Sequence, residues 1–136
     1  MMEDKTLLCA FGTLKSGFHN HGLIERSQQI GIGFTKEKYL MTTVDKRPLE
    51  VISKNGTMIQ SFKKEDLLKT PFPYVLESVH QYFIEIELYL ITQRTLQLCD
   101  RFESVPYLYY RKGIEVIVNE KIYQAEMYFY NEQFQL

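Results

Sequence analysis

The sequence has no excess of charge of one sign and no long hydrophobic run. Its 16 basic and 17 acidic residues give a formal net charge of -1, and they are interspersed along the 136 residues rather than blocked. Phosphate contacts need a basic stripe, and attachment to an anionic lipid surface needs a polybasic patch. The longest apolar stretches, such as FIEIELYLI, carry charges and are far shorter than the ~20 residues that span a bilayer. We therefore expect neither a nucleic-acid partner nor a membrane partner.

Cysteine is also scarce, and the two cysteines do not form a motif. Cys9 and Cys99 have neither CxxC nor metal-site spacing, and each stands among apolar neighbours, so we expect two reduced, buried thiols. His19 and His21 have no nearby cysteine or carboxylate that would complete a ligand set, so no metal site is expected. The start, MMEDKT, is acidic where a secretory signal would be basic, which predicts cytoplasmic residence.

Length and composition predict one domain covering residues 1–136. Hydrophobic residues make up 45% of the chain and charged residues 24%, which is typical of a folded domain with a core of its own. No internal repeat or low-complexity tract occurs. Neither composition nor motif indicates an oligomeric state.

Strands are predicted where β-branched and aromatic residues run between turn signals. The predicted strands are Lys5–Phe11, the stretches IGIGFTKEKYLMTT, LEVIS and MIQSF, Phe83–Leu90, and both halves of KGIEVIVNEKIYQAEMYFY around an Asn119–Glu120 turn. The clearest signal is a period-two alternation, whose apolar face consists of Ile84, Ile86, Leu88 and Leu90.

Helical signals are fewer. NHGLIERSQQIG predicts a short helix with Asn20 as its cap and Gly31 just past its end, although Gly22 weakens it. TQRTLQLCDRF has helical spacing with Thr92 as N-cap, and Pro106 lies beyond its end. FKKEDLLKTPFPYVLESVHQ is predicted to be a connection with one helical turn and is a candidate lid.

Many short strands, one or two helices and no βα alternation predict an α+β domain. We expect a mixed twisted sheet that forms a small, partly closed β-barrel with one or two short helices. A doubly wound sheet is disfavoured, because FGTLKSG has neither GxGxxG nor GxxxxGK[ST] spacing. A serine-hydrolase elbow is also disfavoured, since no serine stands in GxSxG.

The first candidate site is the turn after the first strand. A strand that ends in Gly12 and continues through Thr13 and Leu14 can direct several backbone N–H groups into one concavity, which binds carboxylates or a developing oxyanion. On local sequence alone, an ordinary strand-to-loop turn is the favoured interpretation.

The second candidate site is the stretch LCDRFESVP. Asp100 and Glu103 lie three residues apart at a predicted helix end, and Glu103 has the apolar neighbours Phe102 and Val105. Apolar surroundings raise the pKa of a carboxyl group, which suits a general base that must later return its proton. A solvated carboxylate at the helix end is favoured on local sequence alone. For Asp100, a turn cap or a pair with Arg101 or Arg111 is favoured over catalysis.

Together, FGTLKSGFHNHGL and CDRFESVPYLYYRK resemble the γ-glutamylcyclotransferase-like, or AIG2-like, superfamily. That family has a YGTLK.G...N loop after its first strand and later LD.FE followed by Y.R. PFPYVLES and IEIELYLI are similar to central stretches of its γ-glutamylamine cyclotransferase branch, whereas residues 36–68 match poorly. The resemblance implies that Phe11, Gly12, Thr13 and Leu14 form a substrate cradle, that Glu103 is the catalytic glutamate, and that Asp100 has a structural role.

The resemblance also implies a reaction: a small-molecule γ-glutamyl amine or γ-glutamyl peptide is converted to 5-oxoproline and a free amine, without a cofactor. Two positions depart from the family pattern. Phe11 replaces the usual tyrosine, and Ile86 replaces a usual glycine and would narrow the pocket if its side chain faced inward. Two alternatives stay open: γ-glutamyl cleavage with another leaving group by the same residues, and a non-catalytic small-ligand or protein-binding module of the same fold.

Overall fold

The structure, a computed structural model, describes residues 4–18, 20–43, 49, 51–68 and 73–134. The strands in chain order are β1 (Lys5–Ala10), β2 (Gln28–Thr35), β3 (Leu40–Thr42), β4 (Val51–Lys54), β5 (Thr57–Gln60), β6 (Tyr74–Leu76), β7 (Phe83–Thr92), β8 (Tyr109–Val118) and β9 (Lys121–Tyr130). One α-helix, α1 (Gln93–Phe102), and short 3-10 turns at His21–Leu23, Lys64–Leu68 and Glu132–Phe134 complete the described elements.

Five strands close into a barrel in the order β1-β9-β8-β2-β7, because β1 also pairs with β7. Only the β1–β9 contact within this ring is parallel, and the other four pairings are antiparallel. The β4–β5 hairpin extends the sheet through a parallel pairing of β5 with β7, and β3 pairs with β6 separately. The predicted α+β fold with a small β-barrel is confirmed, and closure removes most of the open sheet edges.

The barrel core follows the period-two alternation of β7. Ile84, Ile86 and Leu88 are fully buried, whereas Leu90 is half-buried. Ile86 belongs to the main core cluster and stands opposite Gly33 of β2. Its side chain points into this core and does not line the cavity described below, so Ile86 does not narrow that cavity.

The predicted C-terminal hairpin is confirmed. Strands β8 and β9 pair in register along all ten residues, from Tyr109 opposite Tyr130 to Val118 opposite Lys121. The two turn residues, Asn119 and Glu120, both have positive φ, at 51° and 66°, as a two-residue turn of this hand requires.

The predicted helix α1 is also confirmed, including its cap. The hydroxyl of Thr92 accepts a hydrogen bond from the Thr95 N–H at 3.1 Å and so satisfies one free amide of the first turn. The helix buries Leu96 and Cys99 in a second core cluster that includes residues of β1 and β7. This packing fixes α1 along the outside of the barrel wall.

The helix predicted within residues 20–31 is wrong. Only His21–Leu23 forms a 3-10 turn, and β2 begins at Gln28. Gly31 is not a helix end but a strand residue. A Cβ there would lie 2.7 Å from a methyl carbon of Val118, so glycine permits the close approach of β2 to β8.

The central region contains more strands than expected. The β4–β5 hairpin covers Val51–Lys54 and Thr57–Gln60, which overlap the predicted strands LEVIS and MIQSF. The connection that follows has the predicted turn at Lys64–Leu68 but also contains strand β6. Pro71 of this stretch lies outside the described residues, whereas Pro73 is buried directly before β6.

Two kinds of structure are absent from the described residues. No helix there has the length and apolar character to cross a membrane. No group of three or more histidine, cysteine, aspartate or glutamate side chains has a metal-binding arrangement within the same residues.

Candidate active site

A cavity of about 1000 Å³ opens at one end of the barrel. Its walls come from the end of β1 and the following turn, β3, β6, the end of α1, the start of β8 and the end of β9. Phe11, Gly12, Thr13, Leu14 and Glu103 all line it, so the two candidate sites found in the sequence meet in one space.

The turn after β1 is held by hydrogen bonds to three successive carbonyl groups. The Gly12 carbonyl accepts from the Lys15 N–H at 3.0 Å and the Thr13 carbonyl from the Asn20 N–H at 3.1 Å. The Leu14 carbonyl lies 2.8 Å from Nδ1 of His21. In a trans peptide the N–H points opposite to the carbonyl, so the N–H groups of Thr13 and Leu14 are directed away from these bonds.

Asn20 also fixes the turn through its side chain. Its Nδ2 donates to the Thr13 hydroxyl at 2.8 Å, and the predicted use of that side chain as a helix cap does not occur. Gly12 packs closely against Pro73, since a Cβ at position 12 would lie 3.0 Å from Cγ of that proline. A side chain at position 12 would therefore crowd the cavity wall.

Lys15, the lysine of FGTLKSG, is buried beside the cavity rather than lining it. Its Nζ donates to the Phe62 carbonyl at 2.6 Å and lies 5.4 Å from the centroid of the Phe18 ring. Burial lowers the pKa of its ammonium group, although the nearby Glu85 and Glu87 carboxylates oppose that shift. Lys15 thus attaches the turn to the segment that follows β5.

Glu103 is the C-cap residue of α1 and is fixed by a Schellman arrangement. The Val105 N–H donates to the Asp100 carbonyl at 3.0 Å and the Ser104 N–H to the Arg101 carbonyl at 3.1 Å. Ser104 has φ 54°, in the left-handed region that this motif requires and that glycine usually occupies. The ending of the helix therefore sets the direction in which Glu103 leaves it.

The Glu103 carboxyl group is half-buried and lies among apolar and aromatic side chains. Burial raises its pKa from the ordinary value of 4.5 to about 7. Among the residues that the structure describes, none forms a salt bridge or a hydrogen bond with this carboxylate. The partial negative charge at the C-terminus of α1 also favours a raised pKa for this carboxyl group. The favoured local interpretation, a solvated carboxylate, therefore does not hold.

The two motifs meet because α1 returns along β1. At its end β7 pairs antiparallel with β1, so that Thr92 stands opposite Lys5 at the start of β1. The ten-residue helix then rises about 15 Å back along the barrel. Its C-terminus therefore comes beside the end of β1, where the turn begins.

Asp100 takes part in an ion network rather than in the cavity lining. Both of its oxygens accept from the guanidinium of Arg111, at 2.9 and 3.0 Å, and one also accepts from the Tyr128 hydroxyl at 2.7 Å. Arg111 donates further to Glu126 at 2.6 Å. Of the alternatives left open for Asp100, the pair with Arg111 is the one observed, and it ties the last turn of α1 to β8 and β9.

Several cavity residues were not predicted. Tyr109 lies close to Glu103. Burial is the main cause of the raised pKa of the Tyr109 phenol, and the charge of Glu103 is the second cause. Tyr74 and Tyr130 stack with ring centroids 4.3 Å apart, and Glu132 follows them on the rim. The abundance of tyrosine in the final hairpin was the available signal, but sequence spacing does not say which tyrosines share a cavity.

One family model matches almost the whole chain. The family described as Gamma-glutamyl cyclotransferase, AIG2-like, matches residues 8–136. A curated protein of Methanocaldococcus jannaschii, named "Putative gamma-glutamylcyclotransferase MJ1514", is 32% identical over 124 residues, which are 90% of this chain and 82% of that protein.

Solved structures share the fold. An AIG2-like protein from Mus musculus superposes with a TM-score of 0.67 at 20% identity, over 96% of this chain and 82% of its own. A protein named gamma-glutamyl cyclotransferase gives a TM-score of 0.63 at 12% identity, over 94% and 68% of the two chains. At these identities the likeness establishes the arrangement of strands and helix.

Proposed function

The chain belongs to the gamma-glutamyl cyclotransferase, AIG2-like family, and from this premise we propose that it converts a γ-glutamyl amine or γ-glutamyl peptide to 5-oxoproline and a free amine. The observation that carries the proposal is the shared cavity. Glu103, whose pKa is raised to about 7, lines the same space as the turn from Phe11 to Leu14. A base and a set of backbone donors in one cavity are what an intramolecular acyl transfer requires.

In the proposed reaction, Glu103 is the general base and then the general acid. Its carboxylate takes a proton from the α-ammonium group of the substrate, and the freed amine attacks the γ-carbonyl carbon. The C–N bond to the departing amine breaks as the tetrahedral intermediate collapses, and Glu103 gives the proton to that amine. The ring nitrogen then loses its second ammonium proton to the Glu103 carboxylate, which passes it to the amine, so the amine leaves as an ammonium ion. Proton and electron pairs balance without any co-reactant.

The cradle residues Phe11, Gly12, Thr13 and Leu14 would hold the γ-glutamyl group. The N–H groups of Thr13 and Leu14, which point away from the bonded carbonyls, are suited to a carboxylate or to the oxyanion of the intermediate. Phe11 is buried in this wall and supplies packing in place of a hydroxyl group. Attacking amine and carbonyl belong to one molecule, so restricting its conformation recovers part of an effective molarity that reaches ~10⁵–10⁸ M.

A direct assay tests the proposal. Purified protein is incubated with γ-glutamyl amines, γ-glutamyl-ε-lysine and γ-glutamyl dipeptides, and 5-oxoproline is measured. Release from at least one compound, in amounts equal to the amine released, is expected. If no compound reacts but one binds, the chain is a binding module of this fold and the enzymatic proposal is wrong.

The activity is expected to depend on pH through Glu103. Because the base must be ionised to accept a proton, kcat/KM should fall about tenfold per pH unit below about 7. The check is a profile of kcat/KM from pH 5 to 8 with the fold monitored by circular dichroism. A flat profile over that range, which a base with the ordinary pKa of 4.5 would give, would contradict the assignment.

The effect of Glu103 on folding stability does not cause the fall in kcat/KM at low pH. The pKa of Glu103 is higher in the folded than in the unfolded chain, so the folded state binds more protons between about 4.5 and 7. The stability contributed by this group is present below about pH 4.5 and is lost as the pH rises to about 7. Weaker activity at pH 6 than at pH 8 therefore cannot come from unfolding driven by Glu103.

A further inference from the structure

We propose that the cavity rim formed by Tyr74, Tyr130 and Glu132 binds the departing amine and selects amines with a second positive charge, the class of α,ω-diamines. This inference rests on the proposed function and names its leaving group. The cavity volume of about 1000 Å³ is at the upper end for a drug-sized ligand, so the space holds more than a γ-glutamyl group.

The position of the rim assigns it to the leaving group. The cradle and Glu103 occupy the side of the cavity formed by the end of β1 and the end of α1. The rim lies on the other walls, because Tyr74 belongs to β6, Tyr130 ends β9 and Glu132 follows β9. A substrate whose γ-glutamyl group lies in the cradle extends its amine portion toward these residues.

The aromatic part of the rim favours a cation. Tyr74 and Tyr130 stack at 4.3 Å with an interplanar angle of 29°, and Tyr109 meets Tyr130 edge-on at 6.1 Å. The faces of such rings attract ammonium groups by about 0.5–2 kcal/mol in other proteins, depending on solvent exposure. Tyr109 also lines the cavity next to Glu103, so aromatic surface is continuous from the base to the rim.

The charge of the rim also favours a cation. One oxygen of Glu132 accepts from the Ser78 hydroxyl at 2.7 Å, which orients the carboxylate. Among the described residues that line the cavity, the carboxylic acids are Glu103 and Glu132, and lysine, arginine and histidine do not occur. A leaving group with a carboxylate would be repelled at this rim, whereas a distal ammonium group would be paired.

The test uses three γ-glutamyl amides of equal length that differ in distal charge: conjugates of 1,4-diaminobutane, n-pentylamine and 4-aminobutyrate. Their affinities are measured by calorimetry on the Glu103→Gln protein, which keeps the cavity shape without the proposed base. We expect the diamine conjugate to bind about fivefold more tightly than the pentyl conjugate and the 4-aminobutyrate conjugate to bind most weakly.

A second substitution isolates the rim. Glu132→Gln in the same background should bring the diamine conjugate to within about twofold of the pentyl conjugate and leave the pentyl affinity unchanged. Glu120→Gln is the matched control, because Glu120 is exposed in the β8–β9 turn, at the end of the hairpin away from Tyr130. It should preserve the whole order of affinities.

Equal affinity for the diamine and pentyl conjugates would overturn the inference, as would a preference that survives Glu132→Gln. The experiments distinguish an error in the rim assignment from an error in the proposed reaction. If the wild-type protein releases 5-oxoproline from the pentyl conjugate without charge preference, the reaction stands and the rim assignment is wrong. If the affinities follow the expected order but no conjugate reacts, the rim stands and the reaction is wrong.

Discussion

Replacing Glu103 by glutamine is expected to lower kcat for 5-oxoproline release by about 10²–10⁴-fold, the usual contribution of a general base. Glutamine keeps the size and shape of the side chain but cannot accept the α-ammonium proton. KM should change little, since the cradle does not depend on the Glu103 charge. The measurement is steady-state kinetics on the best substrate found, with Glu120→Gln as a glutamate-to-glutamine control outside the cavity.

The same variant separates catalysis from folding. Burial disfavours the Glu103 carboxylate and raises its pKa to about 7, so removing the charge should leave the protein as stable as wild type, or more stable, at pH 8. The acid limb of the remaining activity should also disappear. A stable Glu103→Gln protein that retains more than about a tenth of wild-type kcat would exclude Glu103 as the base.

Replacing Gly33 by alanine is expected to destabilise the barrel by about 3 kcal/mol or more. A Cβ at this position would lie 1.9 Å from the Ile117 carbonyl oxygen and 2.8 Å from a methyl carbon of Val118. Gly33 is paired on both sides, with Ile86 of β7 and with Val118 of β8, so the clash cannot be relieved without moving a strand of the closed ring.

Thermal unfolding followed by circular dichroism measures this effect, and a fall in Tm of about 10 °C or more is expected for a chain of this length. Gly22→Ala is the matched control, because no atom lies within 4 Å of a Cβ added there. Its stability should remain within about 0.5 kcal/mol of wild type. Equal Tm values for the two variants would show that β2 and β8 do not approach as closely as described.

Local signals predicted the regular elements well. The alternation of β7, the Asn119–Glu120 turn and the Thr92 cap each depend on neighbouring residues, and all three are found. The prediction of a helix around Gly22 was wrong because distant residues, rather than neighbouring ones, determine the structure there. Gly31 and Gly33 are placed by the packing of β2 against β8, a contact between segments more than eighty residues apart, which outweighs local helical spacing.

The sequence likewise predicted one part of the candidate site and not the other. The sequence drew attention to Gly12 and Glu103, and the path of α1 along β1 explains how residues so far apart reach one cavity. Local composition could not choose between Arg101 and Arg111 as the partner of Asp100, because the choice depends on the position of β8. Tyr74 and Glu132 also join the site only through pairing and closure of the sheet.

The two cysteines, which are both buried in the core, bear on the chemical durability of the protein. Cys9 lines the cavity yet is almost fully buried, and burial raises the pKa of its thiol; burial likewise raises the pKa of Cys99 to about 12. Peroxides and electrophilic drugs attack thiolates, which these residues scarcely populate at neutral pH. Since the proposed reaction requires no thiol either, oxidative stress that inactivates cysteine-dependent acyltransferases would leave this site working.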